Sequence, residues 1–230
     1  MPAQPLAAVG SRAMTNAAVL FDKDGTLLED VPYNVDPALM RFAPGAREAL
    51  TLLAAHGLRL FVVSNQSGVA LGRFGYEALD EMEAHLRRMF EACGVTLAGA
   101  YWCPHHPEGI VARYAYRCAC RKPAPGMLLQ AAREHGIDLS ASWFVGDILD
   151  DIEAGARAGC RTVLIDNGNE TEWVSGPQRV PTLREPDLLR AALAIVREHG
   201  ASHAPACEAK AYRTGANNAA LSHTTTANRA

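Results

Sequence analysis

The chain has 230 residues, 49% of them hydrophobic, enough to bury a sizeable core as one main domain. A formal net charge of −3 excludes a general nucleic-acid-binding surface, and no apolar run is long enough to span a membrane. A small anionic substrate stays open, because a metal and a few basic residues reverse the field locally.

Residues 1–16 read as a disordered extension, with a second methionine at Met14, a single basic residue and no apolar core of a secretory signal. Ala17 to Phe21 then reads as a buried strand, and Asp22-Lys23-Asp24-Gly25-Thr26 falls in the turn at its carboxyl end. Open α/β sheets hold their ligands at that edge. Two carboxylates there can hold Mg²⁺, and one can attack phosphorus while the other handles a proton. The same run also suits an ordinary surface turn. A calcium-binding helix–loop–helix fits less well, since its last ligand position would be Tyr33 and Gly25 comes too early.

Glu29 to Met40 is a loop carrying Pro32, Asn34 and Pro37, and Ala46 to His56 a helix closed by Gly57. A second strand, Leu58 to Val63, ends in Ser64-Asn65-Gln66-Ser67-Gly68. Tyr76 to Cys93 has helical spacing and stops at Gly94, and a short strand at Ala100 to Trp102 enters a loop rich in cysteine and histidine. Met127 to His135 is a helix introduced by Pro123, Pro125 and Gly126 and closed by Gly136. Ser142 to Val145 is a strand, Ile152 to Ala158 a helix, Thr162 to Ile165 a strand and Leu188 to Glu198 a last helix. From Ala201 to Ala230 large apolar residues are scarce, which predicts a disordered tail and places the domain at 17–200. There is no internal repeat. The alternation predicts an α/β fold, a doubly wound parallel sheet with helices on both faces. Between Asp22 and Ser64 there is room for a loop, a helix and a strand, so no separate cap domain is expected.

Further candidate residues sit at the ends of later strands. The Ser64 hydroxyl can bind a phosphoryl oxygen, although a serine there also closes a local turn. Arg121-Lys122 precedes a helix start, where cations and a helix N-terminus make an anion site; a solvated basic pair is the plainer alternative. Asp147 can add a carboxylate to the metal, Asp151 can orient Lys122, and Asp150 suits the helix dipole. Cys103-Pro104-His105 and Cys118-Ala119-Cys120 together offer three thiols and an imidazole, a closed tetrahedral set for a structural Zn²⁺ that does not need His106. The scattered Cys93, Cys160 and Cys207 discourage a disulfide framework, and a reducing cytoplasm is the expected compartment.

Asp22-x-Asp24-Gly-Thr, Ser64, Lys122 and Gly146-Asp147-x-x-x-Asp151 resemble the four motifs of haloacid dehalogenase superfamily phosphatases. Cys103-Pro-His-His-Pro-Glu-Gly and Cys118-Ala-Cys-Arg-Lys-Pro narrow the resemblance to the D-glycero-D-manno-heptose 1,7-bisphosphate 7-phosphatase family, and more distantly to zinc-containing histidinol-phosphate phosphatases. It covers about residues 17 to 175 and finds no match beyond about Leu189. The resemblance implies Asp22 as nucleophile, forming an aspartyl-phosphate, and Asp24 as acid and then base. It implies Mg²⁺ on Asp22, Asp147 and the Asp24 main-chain carbonyl, with Ser64 and Lys122 on the transferring oxygens. Arg121 would recognise the substrate, together with the segments Asp30 to Tyr33 and Ser64 to Ser67, the latter holding Asn65 and Gln66. A small phosphorylated sugar is the implied partner, with no nucleic acid or membrane, and the implied state is a monomer. The implied role is in making nucleotide-activated heptose for surface polysaccharide. The chain departs from the family at Ile148, where the heptose enzymes often carry Lys, and at Lys23, which replaces an Arg. A phosphatase for histidinol phosphate or another small phosphomonoester is the alternative, and a catalytically silent zinc-stabilised binding module is the alternative of another class. The long loop between His105 and Cys118 favours the heptose type.

Overall fold

The computed structural model describes residues 16–203. The sheet has six parallel strands: β1 (Ala18–Phe21), β2 (Arg59–Asn65), β3 (Leu97–Cys103), β4 (Trp143–Gly146), β5 (Arg161–Ile165) and β6 (Leu183–Glu185), in the order β3-β2-β1-β4-β5-β6. The helices are α1 (Ala46–Ala55), α2 (Glu77–Glu91), α3 (Gly126–His135), α4 (Leu149–Ala158) and α5 (Leu188–His203). The sheet and the site lie in one unit, 1–196; the second unit, 197–230, is described only at helical residues 197–203.

β1 and β4 lie in the middle of the sheet, and every residue of both is buried. A strand covered on both faces reads as a continuous apolar run, which is why neither shows alternation. The two-residue period sorts their side chains instead. Val19, Phe21, Leu60, Val62 and Trp143 pack on one face with Leu50 and Leu53 of α1, Leu86 and Phe90 of α2 and Ile195 of α5. Ala18, Leu20, Phe61, Val63 and Phe144 pack on the other with Met127 and Leu128 of α3 and Ala154 of α4. These faces carry the doubly wound arrangement expected of the sequence. Among the described residues no cap interrupts the stretch between β1 and β2, which holds only a turn of 3₁₀ helix, Pro37–Leu39, and α1.

Several boundaries differ from expectation. β3 runs over Leu97–Cys103 rather than Ala100 to Trp102, because as an edge strand it alternates buried and half-buried residues around small Ala98, Gly99 and Ala100. α4 starts at Leu149, not Ile152, since the acids that open it are helix N-terminal residues rather than loop. β6 was not foreseen; it is a short, polar edge strand with no buried residue. α5 continues to His203, past the expected start of the tail at Ala201. At the other end, the Asn16 carbonyl accepts from the Asp138 N–H, so Asn16 belongs to the domain and not to the extension. The rest of the expected extension and tail lies outside the described residues.

Candidate active site

The crevice lies between β1 and β4, where the strand order reverses and connections leave to opposite faces. Asp22 follows β1 and stays in the ladder through its N–H on the Val145 carbonyl, at 2.9 Å. Asp147 follows β4, and both of its oxygens are held: Thr26 donates its hydroxyl to Oδ1 at 2.9 Å and Asn169 its amide to Oδ2 at 2.8 Å. Gly25 makes this approach workable. Its φ of +78° suits glycine, and a Cβ there would collide with the Asp147 carboxylate and the Asn169 amide.

Lys122 is buried and pairs through its ammonium with Asp22 and, at 2.6 Å, with Asp151. It also donates to the Val63 carbonyl at 3.2 Å. Its backbone is fixed by Asn65, whose side chain accepts from the Lys122 N–H at 3.0 Å and donates to the Lys122 carbonyl at 3.2 Å. Burial favours the neutral amine, but the Asp151 and Asp22 charges more than offset it and hold Lys122 above its ordinary range.

Oxygens of Asp22, Asp147 and Asp151 all lie within 4.8 Å of one another. Burial, then the Asp22 charge, pushes Asp147 up to about 6. Burial raises Asp151 to about 8 against the pull of Lys122. One ammonium among three buried carboxylates leaves an excess of negative charge on hard oxygen donors, the surroundings a Mg²⁺ fits. Asp22 and Asp151 share the Lys122 ammonium, while Asp147 is held by the neutral donors Thr26 and Asn169. The Asp24 carboxylate stands outside this trio: Oδ1 pairs with Lys23 at 2.8 Å, and Oδ2 accepts from Gln66 at 3.3 Å. Burial first, opposed by Lys23, raises the Asp24 carboxyl above the usual range, which suits a proton donor.

The other expected residues fall into two groups. Ser64 is buried beside the crevice, its Oγ 3.2 Å from the Gln66 amide, so Gln66 links Ser64 to Asp24. Asn65 positions Lys122, and the Ser67 carbonyl accepts from the Leu71 N–H. Asp30 and Tyr33 are exposed on the loop after β1, where Tyr33 has a φ of +56° and the Arg73 guanidinium lies 4.2 Å from its ring centre. Arg121 reaches the His105 carbonyl at 3.5 Å.

The loop after β5 was missed. Asn167 donates to the Gly25 carbonyl at 2.7 Å, Asn169 holds Asp147, and Glu170 accepts from the Leu149 N–H at 2.6 Å, capping α4. The signal was available, since Asp166-Asn167-Gly168-Asn169 follows the apolar run of β5 as the other site turns follow theirs.

Beside the crevice, Cys103, His105, Cys118 and Cys120 converge, with Cys120 only two residues before Lys122. The sulfurs of Cys103 and Cys118 are 3.5 Å apart, those of Cys118 and Cys120 3.1 Å, and His105 Nδ1 is 3.2 Å from Cys120. A tetrahedron with ~2.3 Å zinc–sulfur arms has edges of ~3.8 Å, so a small outward relaxation fits the ion. The Tyr116 hydroxyl sits 2.7 Å from His105 Nε2, the orienting partner that a metal-binding imidazole needs, and the Arg121 N–H donates to Cys118 Sγ at 3.3 Å. The contact between Cys103 and Cys120 favours the thiolate at Cys120, the form a metal requires, while it raises the Cys103 thiol.

Comparison with known proteins agrees with this geometry. A family model described as HAD-hydrolase-like matches residues 119–191. The D-glycero-beta-D-manno-heptose-1,7-bisphosphate 7-phosphatase of Yersinia pestis is 41% identical over 152 residues, covering 66% of this chain and 81% of that one. The enzyme of that name from Salmonella typhi is 37% identical over 166 residues, covering 68% and 88%. Among solved structures, D,D-heptose 1,7-bisphosphate phosphatase from B. bronchiseptica, complexed with magnesium and phosphate, superposes with a TM-score of 0.64 at 29% identity, covering 79% of this chain and 99% of that one. Its counterpart from Burkholderia thailandensis gives 0.57 at 26%, covering 78% and 98%. With the Asp22, Asp147 and Lys122 cluster in place, the chain belongs to the haloacid dehalogenase-like phosphatases, in the family of the D-glycero-beta-D-manno-heptose-1,7-bisphosphate 7-phosphatases.

Proposed function

We propose that this phosphatase removes the 7-phosphate of D-glycero-β-D-manno-heptose 1,7-bisphosphate, leaving the 1-phosphate for a later nucleotidyl transfer. The names of its relatives support the substrate. The observation that carries the chemistry is Asp22, held at the sheet edge by Lys122 with Asp147 beside it. One Asp22 oxygen attacks phosphorus and the C7 oxygen departs, taking the proton of Asp24. Asp24, now ionised, takes a proton from water, which attacks the aspartyl-phosphate and frees inorganic phosphate and Asp22. Lys122 and Ser64 hold the transferring oxygens in this scheme, and the buried ammonium meets charge that grows on them. Asp22, Asp147 and the Asp24 main-chain carbonyl would hold Mg²⁺, which when bound neutralises the phosphate charge. Cys103, His105, Cys118 and Cys120 would hold a structural Zn²⁺, since all its positions are filled by protein.

The enzyme so described works as a monomer in the cytoplasm on a small phosphorylated sugar. No helix among the described residues is long and apolar enough to cross a membrane. Ile148, where the heptose enzymes often carry Lys, favours testing a second reading, a phosphatase for histidinol phosphate or another small phosphomonoester. Phosphate release with Mg²⁺ from each anomer of the heptose bisphosphate, beside histidinol phosphate, separates the two. The proposal expects a strong preference for the heptose bisphosphate with its 1-phosphate retained. Comparable turnover of histidinol phosphate would overturn the substrate. Full turnover by a folded Asp22→Asn variant would overturn the nucleophile.

A further inference from the structure

Lys23 stands between Asp22 and Asp24 in the chain, yet its side chain has no part in the scheme above. It is 0% exposed, so its ammonium has to be paired and hydrogen-bonded inside the protein. Among the described residues its one carboxylate partner is Asp24, with Nζ 2.8 Å from Oδ1. The same Nζ donates to the Asn34 carbonyl at 3.0 Å. Asn34 is fixed in its turn: its N–H donates to the Val31 carbonyl at 3.1 Å, and its side-chain oxygen accepts from the Asp36 N–H at 2.9 Å. The Lys23 carbonyl accepts from the Leu27 and Leu28 N–H groups at 3.1 and 2.8 Å, which holds the turn from which both side chains leave. Lys23 is thus a brace between Asp24 and the loop after β1.

We infer that Lys23 is a positioning residue for the proton transfer, holding the Asp24 carboxyl aimed at the leaving oxygen; the inference rests on the reading of Asp24 as the acid. The Asp24 side chain is 25% exposed, so burial alone does not lock its rotation, and its two oxygens are held instead by Lys23 and Gln66. Both partners are donors, an ammonium and an amide NH₂, and neither can accept the proton of the acid. That proton is left for the substrate. As the Asp22–phosphorus bond forms and the bond from phosphorus to the leaving oxygen breaks, the proton passes to that oxygen. Lys23 then faces the charge that remains on Asp24. An acid works only within about 2.6–3.2 Å of the atom it protonates. A misplacement of about 1 Å costs on the order of 100-fold.

The test is Lys23→Met, which keeps the length of the side chain and removes its charge. It is read on a series of aryl phosphates running from p-nitrophenyl phosphate, whose leaving group departs without a proton, to phenyl phosphate, whose leaving group needs one. The readout is kcat/KM, which reports the step that breaks the bond to the leaving oxygen. It should fall roughly 100-fold for phenyl phosphate and less than about threefold for p-nitrophenyl phosphate. The plot of log kcat/KM against leaving-group pKa should therefore steepen, and Lys23→Arg should restore the wild-type slope. A merely structural lysine would lower every substrate alike; that result, or an unchanged slope, overturns the inference. Circular dichroism verifies the fold, and if Lys23→Met does not fold, the slope of Lys23→Gln decides by the same two outcomes. Asp24→Asn separates the inference from the reading beneath it. A wild-type slope in Asp24→Asn removes Asp24 as the acid, and Lys23 with it. A steep slope in Asp24→Asn with an unchanged one in Lys23→Met removes Lys23 alone.

Discussion

Replacing Asn169 by Ala should cost the enzyme its grip on Mg²⁺ while leaving the fold intact. The Asp147 carboxylate is 5% exposed and receives two side-chain hydrogen bonds, from Thr26 at 2.9 Å and Asn169 at 2.8 Å. A hydrogen bond to a buried charged group contributes about 1.5–3 kcal/mol. Loss of a partner that orients a metal ligand weakens metal binding about 10- to 100-fold, or about 1.4–2.8 kcal/mol. The two estimates agree, so the Mg²⁺ midpoint for phosphate release should rise by that factor. The assay is a Mg²⁺ titration of turnover, repeated as a direct Mn²⁺ binding measurement by electron paramagnetic resonance, with circular dichroism to verify the fold. Because the Asn169 bond opposes the upward push on Asp147, its loss should also move the acid limb of Mg²⁺ binding to higher pH. A folded variant whose midpoint stays within about twofold of the wild type would refute the reasoning, since the loop after β5 would then position nothing.

In the metal-free wild type Asp147 titrates near 6, above its ordinary value of 3.8, so the folded state takes up a proton that the unfolded chain does not. That contribution to stability is full below about 4 and is lost as pH rises through about 6. Bound Mg²⁺ competes with the same proton, so the rise in Tm on adding Mg²⁺ should be largest at neutral pH and fade below about 6; a pH-independent shift would contradict the assignment of Asp147 as a ligand. Lys122→Met leaves Asp22 and Asp151 buried without their cation and should cost about 3–5 kcal/mol of unfolding free energy in urea, part of it recovered by Mg²⁺. A loss below about 1 kcal/mol would mean that the ion pair is not what balances these carboxylates. Cys120→Ser should lower zinc content on metal analysis, weakening binding by more than about 100-fold, and should reduce turnover as well, because the ligand stands two residues from Lys122. Equal zinc content in variant and wild type would remove Cys120 from the site.

The parts of this site that were legible in sequence share one property: each sits where an apolar run stops. Asp22 and Asp147 follow β1 and β4, and Ser64 follows the apolar part of β2 at its carboxyl end; burial on both faces makes these runs continuous hydrophobic blocks, so chain order alone points to one edge. The cysteine–histidine set was legible because each half is a local chelating pair. What escaped was what depends on contacts between distant loops. The turn holding Asn169 also follows an apolar run, but nothing in its residues shows that it reaches Asp147, and the Thr26 bond to Asp147 spans most of the domain in sequence. β6 escaped for a related reason, since a short edge strand half-exposed to solvent has no apolar run to announce it.

The run Cys120-Arg121-Lys122 belongs at one end to the thiol cluster and at the other to the catalytic crevice, and Cys103-Pro104-His105, which starts on the last residue of β3, closes the same cluster. The segment between His105 and Cys118 is thus a loop staked at both feet, and what happens at its crown need not be felt at its base. Insertions, deletions and exchanges there can reshape the approach to the phosphate-transfer centre without moving Lys122, since both stakes would stay put. A metal that takes no part in bond breaking would in this way free a stretch of chain to explore new substrates while the chemistry beneath it stays the same.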